Sequence, residues 1–469
     1  MIYLISILAL IVVFTIATIR PINMGLLALL AAFVIGPVVS GISAEDVMTF
    51  FPADMFIMVL GITLLFGLAH VNGTLETIMY ASLRLVRGQR WAIAWAMFVL
   101  SALLMSLGAV LAVSMLAPIA MPIAKRYRIN PLLMSAMLGH GAFGAAFSPI
   151  TVYSVGIQQI LGDFGLTVNP LLLFSVPFAL NLALALGAFF VLGRDMFGQR
   201  GRALHQELAV EFANDSAGTA DVSGGGGALA PREPVGSGSG TRPGPGSGGG
   251  TLAQSVAAPP EEAVVVEAAG THRLNWEQGL TLLSIAALLG CALFGVDVGV
   301  ASLIIAVVLL IILPSRVQDS MKQVAWPAAL LVCGVVTYMG VLSANGTIEH
   351  MGELASNMPS ALLTALVLLF AIGLISAVGS SFGIILIALP LVAPLMASGQ
   401  LAAVPLVLAI CFCATVVDVS PFSTNGVIVL STAQVDDKLA FQRKMLTYCG
   451  YICVVAPLLA WALLILPSA

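Results

Sequence analysis

The sequence predicts an all-α polytopic membrane protein made of two inverted-topology repeats, each holding a re-entrant hairpin and a proline-broken transmembrane helix. Three observations lead there. Of the 469 residues, 60% are hydrophobic and only 9% are charged, against roughly 25% charged in soluble domains. Runs such as 2–19 and 171–193 stay apolar for about the 20 residues that a helix needs to cross a bilayer, and about ten more of similar quality follow. Landmarks also recur. A shift of 272 positions lays Pro118 on Pro390, Pro122 on Pro394, Ser148-Pro149 on Ser420-Pro421 and Thr151 on Ser423. Upstream, a shift of 273 lays Gly61 on Gly334, Gly67 on Gly340 and Asn72-Gly73-Thr74 on Asn345-Gly346-Thr347. Spaced landmarks at nearly one offset indicate an internal repeat, a common plan among membrane carriers.

The first run has no basic residue before it and no small-residue cleavage site, and Arg20 follows it, so it is expected to remain as a first span. The first repeat then covers 1–193. From about 194 to 275 the chain turns polar, and 223–250 is rich in Gly, Ser and Pro. Such a stretch cannot bury enough apolar surface to offset the entropy of ordering, and it reads as a flexible cytoplasmic linker. The second repeat covers 276–469.

Charge orients the spans. With the N-terminus outside, all 18 basic residues, among them Arg84, Arg87, Arg90, Lys125, Arg126, Arg128, Arg316, Lys322 and Arg443, fall on the inner face, as the positive-inside rule requires. The 34 mostly apolar residues between Arg90 and Lys125 must then dip in and return, which gives a hairpin over about 91–124 with Ser106-Leu107-Gly108 at its tip. Its counterpart spans about 360–396 around Gly379-Ser380-Ser381. Irregular backbone at membrane depth needs protein or a water-filled cavity beside it, so these tips should face a site.

Helix breaks carry the sharpest chemistry. One apolar helix over about 132–161 is interrupted at Ser148-Pro149-Ile150-Thr151, and another over about 404–431 at Ser420-Pro421-Phe422-Ser423-Thr424-Asn425-Gly426. Proline lacks an amide proton, so the carbonyls near Ala145 and Val417 should lose their helical partners. Those carbonyls, with the nearby hydroxyls, suit a hard cation such as Na+. The half-helices that restart after each break aim partly positive N-termini at the same region, which suits a small anionic substrate. Candidate substrate contacts are Ser106, Gly108, Ser148, Pro149, Thr151, Ser380, Ser381, Ser420, Pro421, Ser423, Thr424 and Asn425.

Asp418 is the one carboxylate that this trace buries in a span. It is expected either to bind the coupling ion, Na+ or a proton, or to cap the restarting half-helix. His140, flanked by Gly139 and Gly141, is the next ion-coupling candidate, weighed against a satisfied core histidine. The Asn-Gly-Thr tripeptides match glycosylation sequons but, placed before amphipathic stretches, read as helix-starting caps. Cys411 and Cys413 read as buried apolar residues rather than a metal or redox pair. With a net charge of -4, a nucleic-acid partner is excluded. Nothing calls for a cofactor beyond a coupling ion.

The two breaks, together with Ala17-Thr18-Ile19-Arg20-Pro21-Ile22-Asn23 and Gly139-His140-Gly141-Ala142-Phe143-Gly144, resemble the ion transporter superfamily, which includes divalent-anion sodium symporters, and within it the malonate and dicarboxylate carrier branch of MatC type. The resemblance covers both membrane halves and not the linker. It implies a homodimer in the plasma membrane whose hairpins and broken helices move as an elevator. The family's Ser-Asn-Thr hairpin tips fall on Ser106-Leu107-Gly108 and Gly379-Ser380-Ser381, and neither matches, which leaves the coupling ion and acid open. The expected function is secondary transport of a small dicarboxylate, malonate-like or C4, with cation/proton antiport as the alternative. An intramembrane enzyme would need a nucleophile-base or metal pair, for which the sequence offers no motif.

Overall fold

The computed structural model describes residues 2–20, 22–75, 77–78, 89–196, 275–294, 296–356, 360–397 and 400–468. The predicted linker falls almost wholly outside the described residues, as do Arg84 and Arg87. Every regular element among the described residues is helical.

The first half runs α1 (Ile2–Ile19), α2 (Met24–Val39), the short α3 (Ala44–Thr49), α4 (Ala53–Val71), α5 (Arg90–Ser106), α6 (Ala112–Arg126), α7 (Pro131–Gly144), α8 (Val152–Asp163) and α9 (Pro170–Leu192). The second half repeats the order, with α14 added among the described residues: α10 (Trp276–Leu293), α11 (Val298–Ile312), the short α12 (Val317–Lys322), α13 (Trp326–Ala344), α14 (Thr347–Ser356), α15 (Ala361–Ser376), α16 (Ser381–Ala397), α17 (Ala403–Val416), α18 (Thr424–Thr432) and α19 (Lys438–Ala460). α3 and α4 recur as α12 and α13 at the offset of 273 read from the sequence. Local chemistry sets the starts. α7 and α9 each open with proline in the first turn after an asparagine whose Oδ1 accepts an amide, from Leu132 at 3.0 Å and Leu171 at 2.8 Å, which pairs a satisfied cap with a residue that needs no partner for its missing N–H.

Among the described residues, five segments are long and apolar enough to cross a membrane: 53–71, 170–192, 326–344, 403–432 and 438–468. A sixth is added if α11 and the 314–322 segment, bent by 108°, count as one. The sequence promised more runs of that length. Caps and turns shorten several of them: α2, for example, has 16 residues, or about 24 Å.

Each half packs through the other. α2 lies against α13 and α4 against α11. The α2–α13 pair runs parallel, since Asn23 Nδ2 donates to Pro327 O (2.8 Å) near the starts and Asn345 Nδ2 donates to Ser40 Oγ (2.9 Å) near the ends. α4 and α13 run antiparallel. A Cβ on Gly340 would meet Phe50, just before α4, at 2.5 Å, and one on Gly67 would meet Gln323, just before α13, at 2.8 Å.

Identical turns end these two helices. Asn72 Oδ1 accepts from Thr74 N (3.1 Å) and Thr74 Oγ1 (2.5 Å), and Asn345 Oδ1 accepts from Thr347 N and Oγ1 at the same distances. Gly73 and Gly346, at φ 77° and 75°, supply the left-handed step that glycine makes without strain. The asparagines therefore act as caps, and their amides reach across: Asn72 Nδ2 donates to Thr281 Oγ1 (2.7 Å) on α10, and Asn345 Nδ2 to Ser6 Oγ (3.1 Å) on α1.

The remaining helices pack around α7 and α17. α5, α6 and α9 lie on α7, and α15, α16 and α19 lie on α17. The halves interlock again here, α16 on α8 and α18 on α6. Arg90, buried, donates from Nε to Tyr127 O (2.8 Å) and from Nη2 to Arg128 O and Asp195 Oδ2 (3.3 Å). That guanidinium gathers the start of α5, the end of α6 and the end of α9.

Candidate functional site

Both breaks fold by the same chemistry. After α7, Ser148 N donates to Ala145 O (3.3 Å) and Thr151 N to Ser148 O (2.9 Å). Thr151 Oγ1 donates toward Ala146 O and Ser148 O (2.8 Å) and accepts from Ser154 N (3.3 Å). After α17 the chain makes one 3-10 turn over Val417–Val419, with Ser420 N on Val417 O (2.9 Å) and Ser423 N on Ser420 O (3.1 Å). Ser423 Oγ donates toward Asp418 O (2.6 Å) and Ser420 O (2.8 Å) and accepts from Gly426 N (3.1 Å). A side chain at Gly426 is barred, because a Cβ would stand 1.8 Å from Ser420 O.

Two expectations change. The carbonyls of Ala145 and Val417 are not left open: each accepts a turn amide, and Val417 O also faces Cys449 Sγ at 3.7 Å. Proline removes one donor and a turn amide replaces it, while the Thr151 hydroxyl goes to Ala146 O and Ser148 O and the Ser423 hydroxyl to Asp418 O and Ser420 O. Asp418 does not cap α18 either, since Ser423 does.

The Asp418 carboxylate is instead turned toward the second hairpin. It is 5% exposed, and Oδ2 accepts a hydrogen bond from Ser381 Oγ at the start of α16. Five residues earlier, Ser376 Oγ donates to Ala414 O (2.6 Å), so the hairpin turn is stitched to the break on both sides. Tyr153 joins from the first half. Its ring stacks on Phe382, the residue after Ser381, with centroids 4.3 Å apart. Asp418 and Ser381 thus form a buried pair, and Tyr153 of the first half is buried against the residue next to Ser381.

Other candidates lie apart from it. His140 is fully buried, with Nδ1 3.0 Å from Asn181 Oδ1 and Nε2 2.7 Å from Tyr448 OH. Asn181 gives its amide proton to Pro177 O (3.0 Å), so its oxygen is the acceptor, His140 Nδ1 carries the proton, and Tyr448 donates to Nε2. This ring is a satisfied link among α7, α9 and α19. At the first hairpin tip Ser106 donates back to Leu103 O (2.8 Å), while a Cβ on Gly108 would meet Ile62 at 2.6 Å and Ile150 O at 3.8 Å, which places that tip beside the first break. Ser380, Thr424 and Pro149 are exposed, Asn425 half-buried, and Ser148, Ser420 and Pro421 buried. Cys411 and Cys413 are wholly buried core residues.

Tyr153, Asn181, Tyr448 and Ser376 were not singled out by sequence reasoning. Asn181 had a usable signal, an amide in the middle of an apolar 23-residue helix, which in a membrane seeks an interhelical partner. A cavity of about 500 Å³ opens farther along α8, lined by Gln159, Asp54, Phe50 and Ser343 among others.

Compared with known proteins, residues 1–146 match the family model described as dicarboxylate carrier protein MatC N-terminus, and residues 258–463 match that of the Na+/H+ antiporter family. The chain is a membrane transporter. Both matches agree with a MatC-type carrier of the ion transporter superfamily, each covering less than half of the chain, and they point to a carrier rather than an enzyme. No curated protein matches it. Ser381 and Asp418 lie within the second match and His140 within the first, while Tyr153 falls just beyond it.

Proposed function

We propose that the chain is a secondary active carrier of a small dicarboxylate, malonate-like or C4, coupled to Na+ or H+. One observation carries the reading: a buried carboxylate, Asp418, at a helix break, with a hydroxyl from the hairpin as its partner. An ionisable group at membrane depth costs several kcal/mol by some scales and is retained where an ion or proton must bind. The anion would be held by the N-termini of α8 and α18 with Ser148, Ser420 and Asn425 nearby, because the buried cation among the described residues, Arg90, is committed at the base of the first hairpin.

On the same reading the halves, 1–193 and 276–469, are inverted repeats. The antiparallel α4–α13 pair supports this, as does the meeting of the start of α1 with the end of α13 and of the start of α10 with the end of α4. The hairpins are re-entrant, and with the broken helices they move as an elevator against α1–α4 and α10–α14. The carrier is a homodimer of the plasma membrane, with the N-terminus outside and 194–275 cytoplasmic.

Uptake of labelled malonate, succinate and citrate into proteoliposomes, with Na+ and pH gradients imposed separately, tests the function. One acid should accumulate under one gradient, and Asp418→Asn should abolish that accumulation in folded protein. No accumulation of any acid under either gradient would refute it. A second reading, cation/proton antiport, is favoured by the antiporter-family match over the half that holds Asp418. It expects Na+-driven proton movement, followed by a trapped pH dye, without any acid present.

A further inference from the structure

We propose that the cavity beside α8 is a second ligand site, one that takes an ammonium ion with an apolar body, and that a ligand there holds the moving elements against the fixed ones. The holding role rests on the carrier reading above; the site itself does not.

The cavity measures about 500 Å³, within the range of small-molecule sites, which are mostly apolar with a few polar groups that fix the ligand. Phe50 and Phe51 line it before α4, Phe164 after α8, and Met339 on α13. The charge in the lining is negative. Asp54, in the first turn of α4, is exposed and has no ion pair among the described residues. Among those residues, no Lys, Arg or His lines the cavity. Glu349, next in the chain to the lining residue Ile348, is exposed and adds to the same sign. Gln159 on α8 brings an amide whose buried Oε1 has no hydrogen-bond partner, whereas the Thr49 hydroxyl is already given to Asp46 O (2.6 Å).

Sign and wall chemistry select the ligand. A dicarboxylate would meet Asp54 with no cation to offset it, so the cavity discriminates against the acid that the carrier moves. A bare metal ion would exchange its water for walls that are largely hydrocarbon. An ammonium on an aromatic body suits both parts of the lining. Its N–H groups only donate, which fits the Asp54 carboxylate and the amide oxygen of Gln159, and its ring fits Phe50, Phe164 and Met339.

The walls also come from both sides of the boundary drawn above. Asp54 and Met339 belong to α4 and α13, which the carrier reading holds fixed, and Gln159 and Pro390 belong to α8 and α16, which it moves. A ligand that touches both sets loses contacts when one slides past the other. It therefore binds the present arrangement better than a displaced one and shifts the population toward it. Occupancy should slow transport, and added acid should not restore the rate, because the acid binds elsewhere.

Ser343→Cys places a reporter thiol in the lining, at an exposed position. Its alkylation by iodoacetamide in phosphatidylcholine liposomes is followed by peptide mass, with benzylammonium, benzyl alcohol or benzoate present on both sides at equal concentration. Benzylammonium should slow the reaction, and the other two should not. Asp54→Asn should raise the benzylammonium concentration for half-protection by about tenfold, as loss of a charge-assisted hydrogen bond does, and Asp54→Glu should keep most of the protection. A carboxylate that only steadies the N-terminus of α4 would leave protection the same in Asp54→Asn, and that result overturns the site. So does equal protection by benzyl alcohol or benzoate, or none by any of the three. In the same liposomes benzylammonium should lower the maximal rate of labelled-acid uptake at an unchanged KM for the acid, and Asp54→Asn should relieve it. Protection without slower uptake in a transporting protein overturns the holding role. Wild type that takes up no malonate, succinate or citrate overturns the carrier reading and the holding role with it, while the labelling still decides the site.

Discussion

Gly334→Ala asks whether α2 and α13 are held at a distance that only hydrogen permits. A Cβ there would stand 1.9 Å from Gly25 O, 2.5 Å from Gly25 C and 2.7 Å from Gly25 Cα, and from the other side a Cβ on Gly25 would stand 1.9 Å from Leu330 O. The obstructing atoms are backbone, so no rotamer change relieves them. Ordinary contact begins near 3.4 Å, and the helices must therefore part by about 1.5 Å at the crossing. A gap of about 0.5–1 Å already forfeits a quarter to a half of a dispersion contact, and this pair touches from Asn23 and Pro327 to Ser40 and Asn345. The cost should lie at the upper end of overpacking, about 3 kcal/mol. The assay is thermal unfolding in detergent, read by a thiol-reactive dye on the buried Cys333, Cys411 and Cys413. Gly187→Ala in α9 and Gly450→Ala in α19 are the controls, since a Cβ there meets nothing within 4 Å; they should hold or gain by about 0.5–1 kcal/mol. The Gly25→Ala, Gly334→Ala double variant should lose less than the sum of the singles, because one separation relieves both. A Gly334→Ala protein that melts with the Gly187→Ala control would refute the reasoning.

Tyr448→Phe strips the donor from His140 Nε2 and should cost about 1–2 kcal/mol in the same melt while transport persists; transport lost from folded protein would return His140 to the coupling machinery. Asn345→Ala removes the turn that closes α13, with its bonds to Thr347, Ser6 and Ser40, and should lower stability by about 2 kcal/mol, with Asn72→Ala close behind. Neither asparagine should carry a glycan after expression in a secretory system, checked by mass shift on deglycosylation. Arg90→Lys keeps the charge but loses the planar fork that spans two carbonyls and Asp195, at about 1–3 kcal/mol; limited proteolysis should then cut first near 127–130.

The helical class, the repeat and both breaks were legible because each depends on residues within a few positions of one another: apolar runs, twin Asn-Gly-Thr tripeptides, Ser-Pro pairs. The caps on Asn72 and Asn345 follow from the same locality. The partners of Asp418 were not legible. Ser381 stood out as a polar residue at a hairpin tip, but its pairing across 37 positions is decided by how α16 lies on α17. Tyr153 in an apolar helix reads as core, and only the stack on Phe382 brings its ring next to the Ser381–Asp418 pair. The carbonyl argument was right that Pro149 and Pro421 bring no amide to Ala145 O and Val417 O, but it did not count the turn amides of Ser148 and Ser420 that each take one lone pair of those oxygens. His140 shows the converse: its flanking glycines serve packing, Gly141 letting α5 approach through Phe98 O and Ser101 Oγ and Gly139 facing Val419.

The crossed amides of Asn72 and Asn345 bear on how the chain is made. Asn72 finishes its turn on Thr281 of α10, and Asn345 finishes its own on Ser6 of α1. A ribosome that has just released the first half has produced an acceptor, Ser6, whose donor is still unwritten, and a donor, Asn72, whose acceptor lies beyond the linker. At roughly 5–20 residues per second the wait from Asn72 to Thr281 lasts on the order of 10–40 s. Through that interval α4 carries a polar terminus with an unmet hydrogen bond and an apolar flank that α11 will later cover. The first half is thus a dependent of the second during synthesis, and truncation within 194–275 should yield a fragment that is cleared by membrane proteases rather than a stable half-carrier.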